Sequence, residues 1–198
     1  MHKLKLLSFS VNLKLLVNLN LPNLITGVRV VAAPVVVYGI YNSHPYLAFW
    51  IFFIAGLTDW LDGFTARYYN QESILGQLFD PLADKFLIIT VTIALMVSHR
   101  MPVWLSVAII GRDVLLLAGS GLVWLYHLPI NLKPLVIGKV STFLQIFLCL
   151  FLLGLEILVA PPALAKSFLA VLFYATLTAT TFSGLAYAKV FCCSLRKP

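Results

Sequence analysis

Four aspartates, Asp59, Asp62, Asp80 and Asp84, are the residues of this chain whose type and spacing point most directly to chemistry. Asp59 and Asp62 stand at i and i+3, and Asp80 and Asp84 at i and i+4, so on helices each pair shares a face. Only seven acidic residues occur among 198, and these four flank one short stretch. Carboxylates packed together repel one another unless they are protonated or neutralised. A hard dication is the natural neutraliser, and an all-oxygen ligand set without His or Cys favours Mg²⁺, Mn²⁺ or Ca²⁺ over zinc. The competing reading, charges solvated at helix ends, suits one aspartate better than four at facing helical spacings.

The residues around the carboxylates add to this. Gly63 follows Asp62, Ala66 lies one turn beyond Asp62, and Gly76 precedes Asp80, so the backbone can come close to a ligand or a second helix. Arg67 offers a planar, permanently charged fork for phosphate oxygens. Metal ions beside an arginine are the equipment of phosphoryl-group transfer.

The elements that must position these residues are membrane helices. The chain is 61% hydrophobic and 11% charged, with a mean hydropathy of +0.98, outside the range of soluble globular domains. A spanning helix needs roughly 20 apolar residues, which predicts an all-α, polytopic membrane protein of six transmembrane helices. Apolar runs between Pro, Asn and charge breaks place the spans near Leu24–Tyr41, Tyr46–Asp59, Leu82–Ser98, Pro102–Tyr126, Leu135–Val159 and Leu164–Ala188. Residues 1–20, with Lys3, Lys5 and Lys14 among leucines, read as an interfacial segment. Leu19-Asn20-Leu21-Pro22 is not a signal-peptide cleavage site. Residues 21–198 then form one membrane domain.

The net charge of +7 is scattered at the ends of apolar runs, which argues against nucleic acid as a partner. The N-terminal segment, Arg67, Lys133, Lys189, Arg196 and Lys197 fall on one side and only Arg100 and Lys166 on the other. The positive-inside bias therefore puts both termini, and the connection between spans two and three, on the cytoplasmic side. Cys149, Cys192 and Cys193 have no metal or disulfide spacing. A cation transporter would also carry membrane acids, but near the midplane on broken helices; here they are expected at helix ends around a cytoplasmic loop. Arg112 and Lys139 lie within apolar runs that give them no evident partner. Either they snorkel to an interface or they meet an anionic ligand, and Arg29 invites the same reading. Asp113 is expected to pair with a neighbouring base.

Asp59-Trp-Leu-Asp62-Gly63-Phe-Thr-Ala66-Arg67, followed by Gly76, Asp80 and Asp84, matches every fixed position of the CDP-alcohol phosphotransferase signature, and the chain resembles class I of that family. Leu21-Pro22-Asn23-Leu24-Ile25-Thr26 with Arg29, Gly111-Arg112-Asp113-Val114 and Gly138-Lys139-Val140-Ser141-Thr142 resemble its phosphatidylglycerophosphate synthase and cardiolipin synthase branch. Arg112-Asp113 and Leu132-Lys133-Pro134 look more like cardiolipin synthase of the mitochondrial and related bacterial kind.

The resemblance implies an enzyme of phospholipid biosynthesis. It implies that Asp59, Asp62 and Asp80 bind two divalent ions, Mg²⁺ or Mn²⁺, and that Asp84 completes the site as ligand or catalytic base. Asp62, Gly63, Ala66, Arg67 and Gly76 would receive the CDP end of CDP-diacylglycerol. The acceptor would be phosphatidylglycerol, giving cardiolipin and CMP, or else glycerol 3-phosphate. Its phosphate is expected at Arg112, Lys139 and Arg29. The expected setting is a membrane, with membrane lipids as partners and a homodimer compatible with it; the active site would face the cytoplasm or a mitochondrial matrix.

Overall fold

A computed structural model of the chain describes residues 21–69, 74–125, 136–158 and 163–195. Among the described residues the chain is all-helical, with α1 (Leu21–Tyr41), α2 (Pro45–Tyr69), α3 (Ile74–Val97), α4 (Val103–Leu125), α5 (Val136–Leu155) and α6 (Ala163–Leu195). Residues 1–20, expected to be interfacial, lie outside the described residues, as do Leu132-Lys133-Pro134.

Two helices outrun the apolar stretches that announce them. The helix α2 continues to Tyr69, ten residues past Asp59, and α3 begins at Ile74, eight before Leu82. Hydropathy marks the length in contact with lipid, whereas a helix persists as long as its residues tolerate helical geometry, and Leu61, Ala66 and Arg67 do. The expected picture of acids at helix ends around a loop is therefore corrected: Asp59 and Asp62 lie within α2, and Gly76, Asp80 and Asp84 within α3.

The turns between neighbours are tight and chemically specified. Ser43 has φ 57°; His44 N–H donates to Gly39 O at 2.9 Å and the Asn42 side-chain amide to Tyr38 O at 3.0 Å. This left-handed cap closes α1 and turns the chain into α2. Gly39 also lets the two helices touch: a Cβ there would stand 3.0 Å from Ala48 Cβ and 3.1 Å from its backbone nitrogen. His99, φ 58°, does for α3 what Ser43 does for α1, with Arg100 N–H donating to Leu95 O at 2.9 Å before Pro102 starts α4.

Helix α1 packs against α2 and α3, α4 against α3 and α6, and α5 against α6 and α2. Small residues such as Ala32, Ala33, Ala48, Ala55 and Ala94 line the contacts among α1, α2 and α3, and Val91, Leu95, Leu105, Leu148 and Leu153 fill the centre. The polar distribution is inverted relative to a water-soluble bundle. Thr92, Ser106, Arg112, Asp113, Ser141, Gln145, Thr176, Thr180 and Ser183 are buried, while Val31, Leu115, Phe143, Leu164, Val171, Phe182 and Leu185 are exposed. Such an exterior suits hydrocarbon, where polar groups gain by turning inward. Val103–Gly121, Val136–Leu155 and Ala163–Phe191 are long and apolar enough to cross a membrane, and Gly27–Tyr41, Pro45–Thr58 and Lys85–Val97 are shorter apolar stretches.

Candidate functional site

Helical register places the expected metal ligands on two helices that frame a common space. The side chains of residues 59–81, 83 and 84 lie outside the described ones; their helices do not. Gly56 precedes Asp59 by one turn on α2, and Ile88 follows Asp84 by one turn on α3. Both Gly56 and Ile88 line one cavity of about 130 Å³. The helices that carry the two aspartate pairs thus both wall one cavity, and the donor chemistry of four carboxylates fits a hard dication such as Mg²⁺ or Mn²⁺.

The cavity's described wall is apolar with a few polar groups set into it. Phe52, Leu87, Ile88 and Ile146 supply the apolar part; Arg29 from α1, Lys85 from α3 and Thr142 from α5 supply the rest. Arg29 is only 4% exposed. Arg29 and Lys85 make the described polar part of this wall largely cationic, and attraction for an anion in such a recess is weakly screened.

Behind Lys85 lies a buried ionic junction. The Asp113 carboxylate on α4 is wholly buried, and its Oδ1 accepts from Lys85 Nζ at 2.9 Å and from Arg112 Nη1 at 2.7 Å. Arg112 donates further to Ser183 Oγ from Nε at 3.2 Å and from Nη2 at 2.9 Å, to Gly138 O at 3.2 Å and to Thr142 Oγ1 at 3.4 Å. One dipeptide of α4 therefore ties α3, α5 and α6 together. Gly138 permits this crossing: a Cβ there would stand 2.9 Å from Tyr187 Oη and 3.4 Å from Arg112 Nη2. A second polar seam continues along α5 and α6, where Ser141 and Gln145 reach Thr180 Oγ1 at 3.3 and 3.5 Å.

The expected acceptor bases thus part company. Arg29 reaches the cavity. Arg112 is buried with protein partners on all three nitrogens, which corrects the premise that it lacks a partner; the expected pairing of Asp113 with a base is observed. Lys139 is exposed and is not among the residues lining the cavity. Lys85 was missing from the sequence argument although it directly follows Asp84. The reasoning that singles out Arg112, a cation in an apolar run, applies to it equally.

At the opposite end of the bundle Arg100 Nη1 and Glu156 Oε1 form an ion pair at 2.6 Å, joining the α3–α4 turn to the end of α5. The two atoms are close but not aligned as a hydrogen bond. Burial pushes the Glu156 carboxyl above its ordinary range, with the Arg100 guanidinium pulling the other way.

The family profile of CDP-alcohol phosphatidyltransferase matches residues 19–185. The chain is 37% identical over 182 residues to a cardiolipin synthase (CMP-forming) / mitochondrial hydrolase fusion protein of Schizosaccharomyces pombe, covering 84% of this chain and 30% of that protein. It is 40% identical over 144 residues to a cardiolipin synthase (CMP-forming) of Homo sapiens, covering 65% of this chain and 48% of the relative. It is 37% identical over 142 residues to a CDP-diacylglycerol–glycerol-3-phosphate 3-phosphatidyltransferase of Blochmanniella floridana, covering 68% and 73%. The chain thus spans less than half the length of the first two.

Proposed function

Because the chain belongs to the CDP-alcohol phosphatidyltransferase family, we propose that it transfers a phosphatidyl group from CDP-diacylglycerol to the free hydroxyl of phosphatidylglycerol, giving cardiolipin and CMP. The observation that supports this best is that α2, which carries Asp59 and Asp62, and α3, which carries Asp80 and Asp84, both line one cavity whose wall also holds Arg29 and Lys85. The names of the Schizosaccharomyces pombe and Homo sapiens relatives favour the same acceptor.

Asp59, Asp62, Asp80 and Asp84 would hold two divalent ions, Mg²⁺ or Mn²⁺, which neutralise the diphosphate of the donor and the departing CMP. Asp62, Gly63, Ala66, Arg67 and Gly76 receive the CDP end, the small residues leaving room and Arg67 pairing with phosphate oxygens. Asp84 accepts the proton of the acceptor hydroxyl when it is not fully engaged as a ligand. The hydroxyl oxygen bonds to the phosphatidyl phosphorus as the bond from that phosphorus to CMP breaks. Arg29 forms part of the basic side of the acceptor site, and Arg112 supports that wall through its hold on Thr142. The protein is multi-pass, with this site and both termini on the cytoplasmic or matrix side.

Glycerol 3-phosphate is the second reading, favoured by the Blochmanniella floridana relative, of which the chain covers the larger share. A phosphodiester lipid carries one negative charge and leaves its acyl chains in the bilayer, so it needs fewer bases than a near-dianionic soluble phosphate. The deciding experiment supplies purified full-length chain with CDP-diacylglycerol and Mg²⁺, offers phosphatidylglycerol or glycerol 3-phosphate, and follows CMP and lipid products. Rapid use of glycerol 3-phosphate with phosphatidylglycerol left unconverted would overturn the cardiolipin reading; no CMP with any acceptor would overturn phosphatidyl transfer.

A further inference from the structure

The geometry points to Lys85 as the cation that receives the phosphate of the acceptor, held in place by Asp113 and braced by Arg112. This rests on the phosphatidyl-transfer reading and identifies part of its acceptor site.

Donor capacity separates the two cations on Asp113. A guanidinium has five N–H groups and an ammonium three. Arg112 makes five contacts, two to Ser183 and one each to Asp113, Thr142 and Gly138 O, so its donors are spent inside the bundle. Among the described residues Lys85 spends one, on Asp113 Oδ1 at 2.9 Å, while lining the cavity.

Charge leads to the same residue. Lys85 and Arg112 share one oxygen of one carboxylate. Among the described residues two positive charges meet one negative at the junction, an excess positive unit that an anion at the cavity would offset in an apolar bundle. The junction meets the cavity at Lys85 and at Thr142, whose hydroxyl Arg112 holds at 3.4 Å. Phe52, Ile88 and Ile146 line the same cavity beside them. Lys85 lies on the stretch of α3 that carries Asp80 and Asp84, so a phosphate held at Lys85 keeps the acceptor beside that part of the helix. Asp113 is the positioning residue, fixing the ammonium against the wall. The ligand chemistry is a phosphate oxyanion, as phosphodiester or phosphomonoester.

The test uses full-length protein in detergent micelles with Mg²⁺ and CDP-diacylglycerol, varying phosphatidylglycerol in one arm and glycerol 3-phosphate in the other. Lys85→Met is expected to raise KM for the acceptor that the wild type uses by about tenfold or more while KM for CDP-diacylglycerol stays within about twofold. Lys85→Arg should recover most of the loss, and Asp113→Asn should raise the acceptor KM less than Lys85→Met does. The arm in which the shift occurs identifies the phosphate as lipid-borne or free. If Lys85→Met does not purify folded, Lys85→Gln, which keeps a donor toward Asp113, takes its place with the same expectation. Equal shifts in both KM values, a fall in kcat alone, or an unchanged acceptor KM would overturn the inference while leaving phosphatidyl transfer standing. Absence of CMP release by the wild type would overturn that reading, and this one with it.

Discussion

At the scale of single residues, Asp59, Asp62 and Asp80 share a proposed task that amides cannot perform, because a neutral oxygen binds a hard dication far more weakly than a carboxylate. Asp59→Asn, Asp62→Asn and Asp80→Asn are each expected to lower CMP release more than about 100-fold, beyond what even a supporting residue of a metal site commands. EDTA should stop turnover, with Mg²⁺ or Mn²⁺ but not zinc restoring it. Ordinary activity in any of the three variants would remove that aspartate from the ligand set. These aspartates stand out in the sequence because their message is one of type and spacing along a single stretch. Lys85 carries the signal of a cation in an apolar run, but its pairing with Asp113 twenty-eight positions away is announced by no local pattern. Removing that partner should be costly: Asp113→Ala leaves Lys85 without its counter-ion and Arg112 short of one. A loss of about 3–5 kcal/mol is expected, the usual penalty for breaking a buried pair, and thermal unfolding in detergent would read it against wild type.

At the scale of elements, the crossing of α5 and α6 at Gly138 has no room for a branched side chain. Gly138→Val should push Tyr187 and Arg112 aside and cost about 1–3 kcal/mol, as overpacking does, with a lowered unfolding temperature as the readout. The Arg100–Glu156 pair links the α3–α4 turn to α5 at the far end. Burial raises the folded-state carboxyl above its unfolded value, so the folded chain holds the proton more tightly than the unfolded one. The contribution of Glu156 is then fully present below the unfolded value and is lost as pH rises through the folded one. Stability relative to Glu156→Gln should accordingly decline between acid and neutral pH; a difference that stays constant or grows would contradict the burial effect. Helix existence and order were readable from apolar runs, as were the starts at Pro45 and next to Pro102. The ends of α2 and α3 were not, because hydropathy falls where lipid contact stops and the helix need not.

At the scale of the whole molecule, the inward turn of Thr, Ser and Gln on α3, α5 and α6 could not be read from any one helix, because which face is inside depends on neighbours that the sequence does not order. The ionic junction carries a consequence for how the bundle is made. Arg112 and Asp113 are adjacent in the chain, and their side chains meet at 2.7 Å on the same helix. The helix α4 therefore brings its own counter-charge when it leaves the translocon, before α5 and α6 have been synthesised. A lone Arg or Asp at the centre of such a segment costs about 2.5–3.5 kcal/mol on insertion scales; a mated pair should cost less than the sum. Insertion measurements on α4 with Arg112→Leu, Asp113→Leu and both together should be non-additive, each single replacement gaining less than half of what the double gains. Biogenesis would then let α4 enter the bilayer as a self-neutralised segment, with α5 and α6 later adding Gly138, Thr142 and Ser183 as further partners of Arg112.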